Sequence, residues 1–218
     1  QLLGVKWRAH ASQPRFFRGT LHFLIGRDGR LLVVNEADVE TVVNSVVPSE
    51  SFPRADLAAL QAQAVIARGH VLANLGHRHI GEPYHLCAEP HCQAYTGLAK
   101  VTPHTARAVQ STRGQVLMHD KVLVDTMYHS TCGGHTEAYM LSGNRGRSVV
   151  MPGQADSAIH VPIITESRVR SFLAHPPEHA WCARTGRRDG LFRWTAKRSG
   201  RQISQLVNSR NAIGPVIG

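Results

Sequence analysis

The sequence predicts an α+β fold in which helices are mixed with small antiparallel sheets. The first sign is the turn Arg27-Asp28-Gly29-Arg30 between two apolar runs, because Asp-Gly in that setting is typical of a β-hairpin. The second is an Ala-rich stretch from Leu57 to Leu75, whose apolar residues recur at helical spacing. With 218 residues, 42% of them hydrophobic, the chain is long enough to bury a core, as one compact domain or as two small lobes.

The first predicted elements are the hairpin and a short helix. The hairpin is expected to pair a strand within Phe16 to Ile25 with a strand from Leu31 to Asn35. After it, valines at helical spacing predict a helix from Glu36 to Val47. Because valine has a weak helix propensity, the prediction of this helix rests on the spacing of its apolar residues alone.

The segment after this helix carries Glu50 between Pro48 and Pro53. Proline fixes its own backbone and restricts the residue before it, so we expect a rigid loop that holds Glu50 as a catalytic acid is held. The alternative is an ordinary solvated loop carboxylate. Asp56 then stands where the N-cap of the long helix is expected.

Residues 76–97 lose the helical periodicity and collect histidine and cysteine side chains in a loop. Cys87, His91 and Cys92 offer two thiolates and one imidazole, a set that Zn²⁺ favours when one more nitrogen completes it. The candidates for the fourth ligand are His77, His79 and His85. A disulfide between Cys87 and Cys92 in an oxidising compartment is the alternative.

The later elements are predicted to be shorter. A helix is expected from Thr102 to Thr112, and strands from Gly114 to Met118 and from Val122 to Tyr128. The second strand leads into Tyr128-His129-Ser130-Thr131-Cys132-Gly133-Gly134-His135-Thr136-Glu137, where paired glycines allow a tight turn beside polar side chains. Further along, a long surface loop is predicted at about 141–166 and a helix from Gln202 to Asn208.

The net charge of +10 raises nucleic acid, an anionic membrane surface or an acidic cell-wall polymer as partners. The basic residues are scattered and lack interleaved aromatic residues, so nucleic acid is not predicted, and simple surface solubility explains the charge equally well. No apolar run is long enough to span a membrane. Because the chain begins at Gln1, we expect a processed or shortened product that lacks its targeting segment.

Four motifs stand in order along the chain: Val46-Val47-Pro48-Ser49-Glu50; Leu60-Gln61-Ala62-Gln63-Ala64-Val65 with Ala67-Arg68; Cys87 to Tyr95 with His91-Cys92-Gln93; and Tyr128 to Glu137. Together they resemble the stage II sporulation protein D family, which includes lytic transglycosylases and amidase-enhancer proteins of bacterial cell walls. The resemblance runs from about Phe16 to the end and includes the Cys182 and Phe192-Arg193-Trp194 region.

The chain departs from the family pattern at three places. Ala55 stands where a tryptophan is usual, Ala58-Ala59-Leu60 replaces Glu-Ala-Leu, and Arg68-Gly69-His70 replaces Arg-Thr-Tyr. Family domains also usually continue past a segment like Ile203 to Gly218. We therefore expect residues 1–218 to form a single domain of this type, built around a glycan-binding cleft and truncated at its C-terminus.

The resemblance implies a lytic transglycosylase with Glu50 as its acid and base. Such enzymes cleave the bond between N-acetylmuramic acid and N-acetylglucosamine without water and leave a 1,6-anhydro ring. Asp125 and Glu137 are the carboxylates that would instead support hydrolysis. The expected substrate-binding residues are Gln93, Tyr95, Tyr128, His129, Ser130 and Thr136. For Ser130 and Thr136 the alternative is stabilising the glycine turn, and for Gln93 and Tyr95 it is packing the ligand loop.

The resemblance also favours His79 as the fourth metal ligand, with Cys87, His91 and Cys92. Four protein ligands leave no open position, so the zinc would be structural. Cys132 and Cys182 remain, either as a disulfide or as two unpaired thiols.

The expected substrate is peptidoglycan glycan, stripped of peptides, and the expected location is extracytoplasmic: the cell wall, the periplasm or the medium. A cell-wall amidase is a further expected partner if the chain is instead a non-catalytic wall-binding enhancer. A zinc-dependent hydrolase is a third alternative and would need an open metal position.

Overall fold

The computed structural model describes residues 2–5, 15–142, 148–151, 153–158, 166–175, 177, 179–183, 192 and 194–208. The chain divides into two compact units. The first contains Gln1–Tyr128 and Tyr139–Met151, and the second contains His129–Ala138 and Pro152–Gly218. Helices and small antiparallel sheets occur together, which confirms the predicted α+β class. The predicted glycan-binding cleft stays a prediction.

The first unit opens with an antiparallel sheet of β1 (Leu2–Val5), β2 (Thr20–Ile25) and β3 (Leu31–Glu36). The strand order is β1-β3-β2, so β3 is central. Strands β2 and β3 pair from Ile25 opposite Leu31 to Thr20 opposite Glu36, which confirms the predicted hairpin. Gly29 adopts a φ of 73°, a left-handed conformation that the tight turn requires and that glycine adopts without steric cost.

Helix α1 spans Val39–Glu50, three residues later at both ends than predicted. Asp38 caps it, because its carboxylate accepts the N–H of Thr41 at 3.0 Å. The helix continues through Pro48, so the expectation of a loop around Glu50 is wrong: Glu50 is the last residue of the helix. Proline removes one N–H near the end of the helix, and the hydroxyl of Ser49 donates to the carbonyl of Ser45 at 2.8 Å.

Helix α2 spans Leu57–Asn74 and closely matches the predicted range. Asp56 stands at its N-cap position but makes no side-chain capping bond, in contrast to the expectation. Helix α3 spans Pro103–Ser111 and begins with a capping box between Thr102 and Thr105. The buried apolar side chains that the three helices bring together are Val42, Val43, Val46, Val47, Leu60, Ala64, Ala67, Val71, Ala108 and Val109.

A buried ion pair ties α1 to α2. The guanidinium of Arg68 is only 2% exposed and binds both carboxylate oxygens of Glu40, at 2.8 Å and 2.9 Å. It also donates to the carbonyls of Gln115 and Ala64. Burial raises the pKa of Glu40, but the hydrogen bond from Arg68, a backbone N–H and nearby positive charge outweigh it and hold that pKa below its usual value.

The strands after α3 are shorter than predicted. Strand β4 is Met118–His119 and β5 is Val122–Leu123, so most of the predicted strand residues around them follow an irregular path. Strands β6 (Tyr139–Ser142) and β7 (Ser148–Met151) then form an antiparallel hairpin. This hairpin overlaps the beginning of the surface loop that the sequence predicts at about 141–166.

The second unit contains α4 (Glu166–Ala174), a short 3-10 turn at Trp181–Ala183, and α5 (Gly200–Asn208). Helix α5 confirms the prediction from Gln202 to Asn208. Parts of the predicted loop at 141–166, and Arg193 of the expected Phe-Arg-Trp motif, lie outside the described residues. None of the helices in the described part of the chain combines the length and apolar content that crossing a membrane requires.

Candidate functional site

Glu50 is exposed to solvent at the end of α1, where one backbone group binds its carboxylate and a second group lies near it. The first is a backbone donor, the N–H of Ala94, which lies 2.5 Å from Oε1 of Glu50. The loop that carries this donor is fixed to α1, because Ser49 and Thr96 share a hydroxyl hydrogen bond at 2.8 Å and the Thr96 N–H donates to Ser45. The helix end and the loop therefore position the carboxylate together.

The second group is the hydroxyl of Tyr128. Burial first, and then the negative charge of Glu50 and a hydrogen bond to its carboxylate, raise the pKa of Tyr128. The phenol therefore stays protonated and can donate to Glu50. The same hydroxyl accepts the amide N–H of Gln93 at 3.1 Å. Gln93 is buried, and its Oε1 has no hydrogen-bond partner among the described residues.

Close packing against α2 brings Tyr128 to this position. A Cβ atom on Gly69 would lie 2.6 Å from Oγ1 of Thr126 and 3.2 Å from the carbonyl of Val124, so only glycine allows this approach. The Thr126 hydroxyl donates to the carbonyl of Ile66 at 2.5 Å. Gly69 is one of the departures from the family pattern, and in this chain it admits the segment that ends at Tyr128.

A second polar cluster lies beside Tyr128. Nδ1 of His70 lies 2.6 Å from Oδ1 of Asp125, and the His70 ring meets the Tyr128 ring edge-on with centroids 6.5 Å apart. Burial raises the pKa of Asp125, but the hydrogen bond and charge of His70, with a bond from Asn74, lower it below its usual value. In the sequence, His70 stands out only as a departure from the family pattern. Its i, i+4 spacing from Asn74 on α2 was the available signal.

Tyr95 lies in the interior, away from solvent. It is 5% exposed, its hydroxyl donates to Asn35 at 2.5 Å, and its ring packs against Phe17 with centroids 6.0 Å apart. Burial raises the pKa of Tyr95 to about 12. These contacts favour the packing role over a contact with substrate.

The other predicted substrate-binding residues, His129, Ser130 and Thr136, belong to the second unit. His129 and Ser130 are exposed. The Thr136 hydroxyl accepts the N–H of Gln154 at 2.8 Å, and the Thr136 N–H donates to the Gln154 carbonyl. This pairing joins Thr136 to Gln154, and a contact of Thr136 with substrate stays a prediction. Glu137, one of the two possible second carboxylates, is exposed.

The four predicted zinc ligands lie together in the loop after α2. The ligand atoms of His79, Cys87, His91 and Cys92 are all within 4.8 Å of one another. Nε2 of His79 is 3.3 Å from Sγ of Cys92, and Nδ1 of His91 is 3.5 Å from Sγ of Cys92 and 3.6 Å from Sγ of Cys87. Tetrahedral zinc with Zn–N and Zn–S bonds of ordinary length sets nitrogen and sulfur about 3.5 Å apart. The donor set therefore fits zinc in type and spacing.

The protein around this cluster orients its imidazoles. His79 has a φ of 51°, and its ring packs on Tyr84 with centroids 4.8 Å apart. Arg78 binds the carbonyl of His91 and the side chain of Asn74, which ties the loop to the end of α2. Burial, followed by the charge of His91, lowers the pKa of His79 and favours the neutral imidazole that a metal ligand must be.

Comparison with known proteins finds similarity over part of the chain. Residues 27–119 match the family described as Stage II sporulation protein. An uncharacterized protein of Brachyspira hyodysenteriae (strain ATCC 49526 / WA1) is 30% identical over 122 residues, which cover 56% of this chain and 33% of that relative. The match spans about a third of the relative's length. The part of the chain that is similar to this family, residues 27–119, contains Glu50, Gln93 and the four clustered ligands.

Proposed function

We propose that this chain is a lytic transglycosylase that cleaves the bond between N-acetylmuramic acid and N-acetylglucosamine in peptide-stripped peptidoglycan. The match of residues 27–119 to the Stage II sporulation protein family supports a role connected with the bacterial cell wall and with sporulation. The observation that carries the finer proposal is the exposed carboxylate of Glu50, which accepts the Ala94 N–H and lies near the Tyr128 hydroxyl. Peptidoglycan lies outside the cytoplasm, and the proposal places the chain there with it.

In the proposed reaction Glu50 acts first as an acid and then as a base. Its carboxyl donates a proton to the glycosidic oxygen as the bond from that oxygen to C1 of the muramic sugar breaks. The C6 hydroxyl of the same sugar then attacks C1, and its proton returns to Glu50 as the 1,6-anhydro ring closes. No water is consumed, and the carboxyl ends in the protonation state in which it began.

The neighbours of Glu50 fit this double role. The Ala94 N–H and the Tyr128 hydroxyl are hydrogen-bond donors, so they stabilise the carboxylate that exists between the two proton transfers. Gln93 orients the phenol, because its amide N–H is bonded to the phenol oxygen. His129, Ser130 and Thr136 stay proposed substrate contacts on the strength of the family motif alone.

The environment of Asp125 supports a single-acid mechanism. An inverting hydrolase needs a second carboxylate as the base that activates water, about 6.5 to 9.5 Å from the acid. The carboxylate of Asp125 is already bonded to His70 at 2.6 Å. Its lowered pKa makes it a weak base. Asp125 is therefore better suited to holding His70 than to activating water.

We propose that His79, Cys87, His91 and Cys92 hold one structural Zn²⁺. Four protein ligands complete a tetrahedral site, so the metal would cross-link the loop and leave no position for water or substrate. The loop continues directly from Cys92 through Gln93 to Ala94, both of which contact the Glu50 site. The cross-link would thus stabilise the backbone donor to Glu50 and take no part in proton transfer.

The deciding experiment is product analysis on peptide-stripped glycan strands. We expect peptide-free sugar products whose mass is lower by one water than that of the hydrolytic products. Their new muramic ends should resist borohydride reduction, because the anhydro ring has no free reducing end. Glu50→Gln should keep the fold and lose about 10² to 10⁴ in rate. Glu36→Gln, which changes a carboxylate paired with His22 at the sheet surface, is the matched control and should keep the activity.

Other outcomes select other functions. Reducible ends would identify a hydrolase and refute the transglycosylase. Absence of any sugar release, together with stimulation of a cell-wall amidase, would identify a wall-binding enhancer. Full activity in Glu50→Gln would remove Glu50 from the mechanism.

A further inference from the structure

Two cysteines of the second unit are in direct contact although they are far apart in the chain. Sγ of Cys132 lies 3.6 Å from Sγ of Cys182, across a sequence separation of 50 residues. Both residues are half-buried. Neither cysteine belongs to the proposed reaction or to the proposed zinc site, so the contact between their sulfur atoms needs another explanation.

Backbone contacts fix both cysteines at this meeting point. Asp156 joins the two segments, since its N–H donates to the Gly134 carbonyl at 3.1 Å and its own carbonyl accepts the Trp181 N–H at 2.8 Å. Its carboxylate accepts the Cys182 N–H at 2.9 Å. The Gly134 N–H, in turn, points at Sγ of Cys132 at 3.4 Å. The thiols therefore face each other because the main chain on both sides is held.

Close packing holds the same segments together. A Cβ atom on Gly134 would lie 2.9 Å from Pro177 and 3.5 Å from Ala180, so the glycine turn lies directly on the chain that leads to Cys182. Gly134 has a φ of 103°, which glycine adopts and other residues avoid. A covalent bond between the cysteines would join segments that already pack in the required arrangement.

We propose that Cys132 and Cys182 form a disulfide that closes the second unit. With oxidised glutathione as the oxidant, one thiolate attacks the glutathione disulfide and releases one glutathione thiol. The other cysteine, as a thiolate, then attacks the mixed disulfide and releases the second. The two protein thiols are oxidised, one glutathione disulfide is reduced to two thiols, and the two cysteine protons end on glutathione.

A metal site is the competing explanation for this cluster, because Asp156 also lies within 4.8 Å of both sulfurs. Zinc binds thiolates and completes its shell with four ligands in structural sites. In the described part of the chain this cluster offers two thiols and one carboxylate. The proposed zinc site in the loop after α2 offers four ligands.

The disulfide would fix the segment that carries three residues of the family motif. Cys132 lies between Ser130 and Thr136 and close after His129 in the sequence. The cross-link closes a loop of the chain that contains Asp156 and α4. It therefore lowers the conformational entropy of the unfolded chain, which the native hydrogen bonds do not do because they are broken on unfolding. The inference concerns the second unit itself and stands whether or not the proposed reaction is correct.

The test is peptide mapping of the zinc-loaded chain after equilibration with oxidised glutathione. Unreacted thiols are blocked with N-ethylmaleimide before digestion without reductant. We expect one cross-linked peptide pair joining Cys132 to Cys182, with a mass two hydrogens below the sum of the reduced peptides. Reduction should lower the melting temperature of the wild-type chain but not that of a Cys132→Ser/Cys182→Ser double variant.

Three results would overturn the inference. One is modification of both cysteines by N-ethylmaleimide in folded, glutathione-treated protein. Another is a metal content that falls by one equivalent in the double variant, which would assign the cluster to a metal. The third is an equal effect of reductant on wild type and double variant. If the double variant does not fold, the mapping of wild-type protein still decides the outcome.

Discussion

Replacing Glu40 with glutamine tests whether the buried pair with Arg68 anchors α1 to α2. Glutamine keeps the shape of the side chain but removes its charge, and one of its two polar atoms becomes an N–H₂ group facing a guanidinium donor. Arg68 is 2% exposed and would be left with an uncompensated buried charge. Breaking a buried pair in this way costs about 3 to 5 kcal/mol. Because Glu40 is 18% exposed and water can reach it, we expect the lower figure, about 3 kcal/mol.

Urea unfolding at neutral pH measures this cost. With a slope of about 2 kcal/mol per molar, a loss of about 3 kcal/mol lowers the unfolding midpoint by about 1.5 M. The matched control is Asp28→Asn, which breaks an exposed pair with Arg30 at 4.0 Å and should change the stability by less than about 0.5 kcal/mol.

The pH dependence supplies a second, independent check. The pKa of Glu40 is lowered in the folded chain relative to its ordinary value of 4.5. The stability that the carboxylate contributes is therefore present above that value and is lost as the pH falls through the lower, folded pKa. The difference between wild type and Glu40→Gln should shrink across this acidic range. A midpoint shift below about 0.5 M, or a difference that persists unchanged at low pH, would refute the anchoring role.

Three further predictions concern the site. Tyr128→Phe removes the hydroxyl that faces Glu50 and should lower glycan cleavage about ten- to a hundredfold with unchanged secondary structure; an unchanged rate would exclude that hydroxyl from catalysis. Gly69→Ala places a Cβ 2.6 Å from Thr126 and should cost about 1 to 3 kcal/mol in urea unfolding, whereas a gain in stability would show that the segment shifts freely. Elemental analysis should find one zinc per chain in wild type and in His77→Ala but less in His79→Ala; zinc-free wild type with a Cys87 to Cys92 disulfide would contradict the site.

The elements predicted correctly are those that local chemistry determines. The hairpin follows from Asp28-Gly29 between two apolar runs, and α2 follows from apolar periodicity over many turns. The end of α1 differs from the prediction for a local reason as well. Proline near the last turn removes one hydrogen bond, and packing of Val46 and Val47 compensates, so the helix runs on to Glu50.

The parts of the site that were missed depend on contacts between residues distant in sequence. The pairing of His70 with Asp125 joins positions 55 residues apart, and Tyr95 meets Asn35 across 60 residues. No periodicity or short motif encodes such pairs. The four clustered ligands were found because most of them lie within one short loop, where spacing alone limits the possible arrangements.

The group of Ala94 that donates to Glu50 is its main-chain N–H, so a substitution at position 94 need not remove this hydrogen bond. Every residue except proline carries the same N–H, so many side chains at position 94 would preserve the contact. The constraint lies instead in the course of the loop, which is held by the bond from the Tyr95 N–H to Ala88 and by that from the Thr96 N–H to Ser45. Grafting Glu50 and its backbone donor onto another protein would therefore require the same backbone path, while the residue type at position 94 could change.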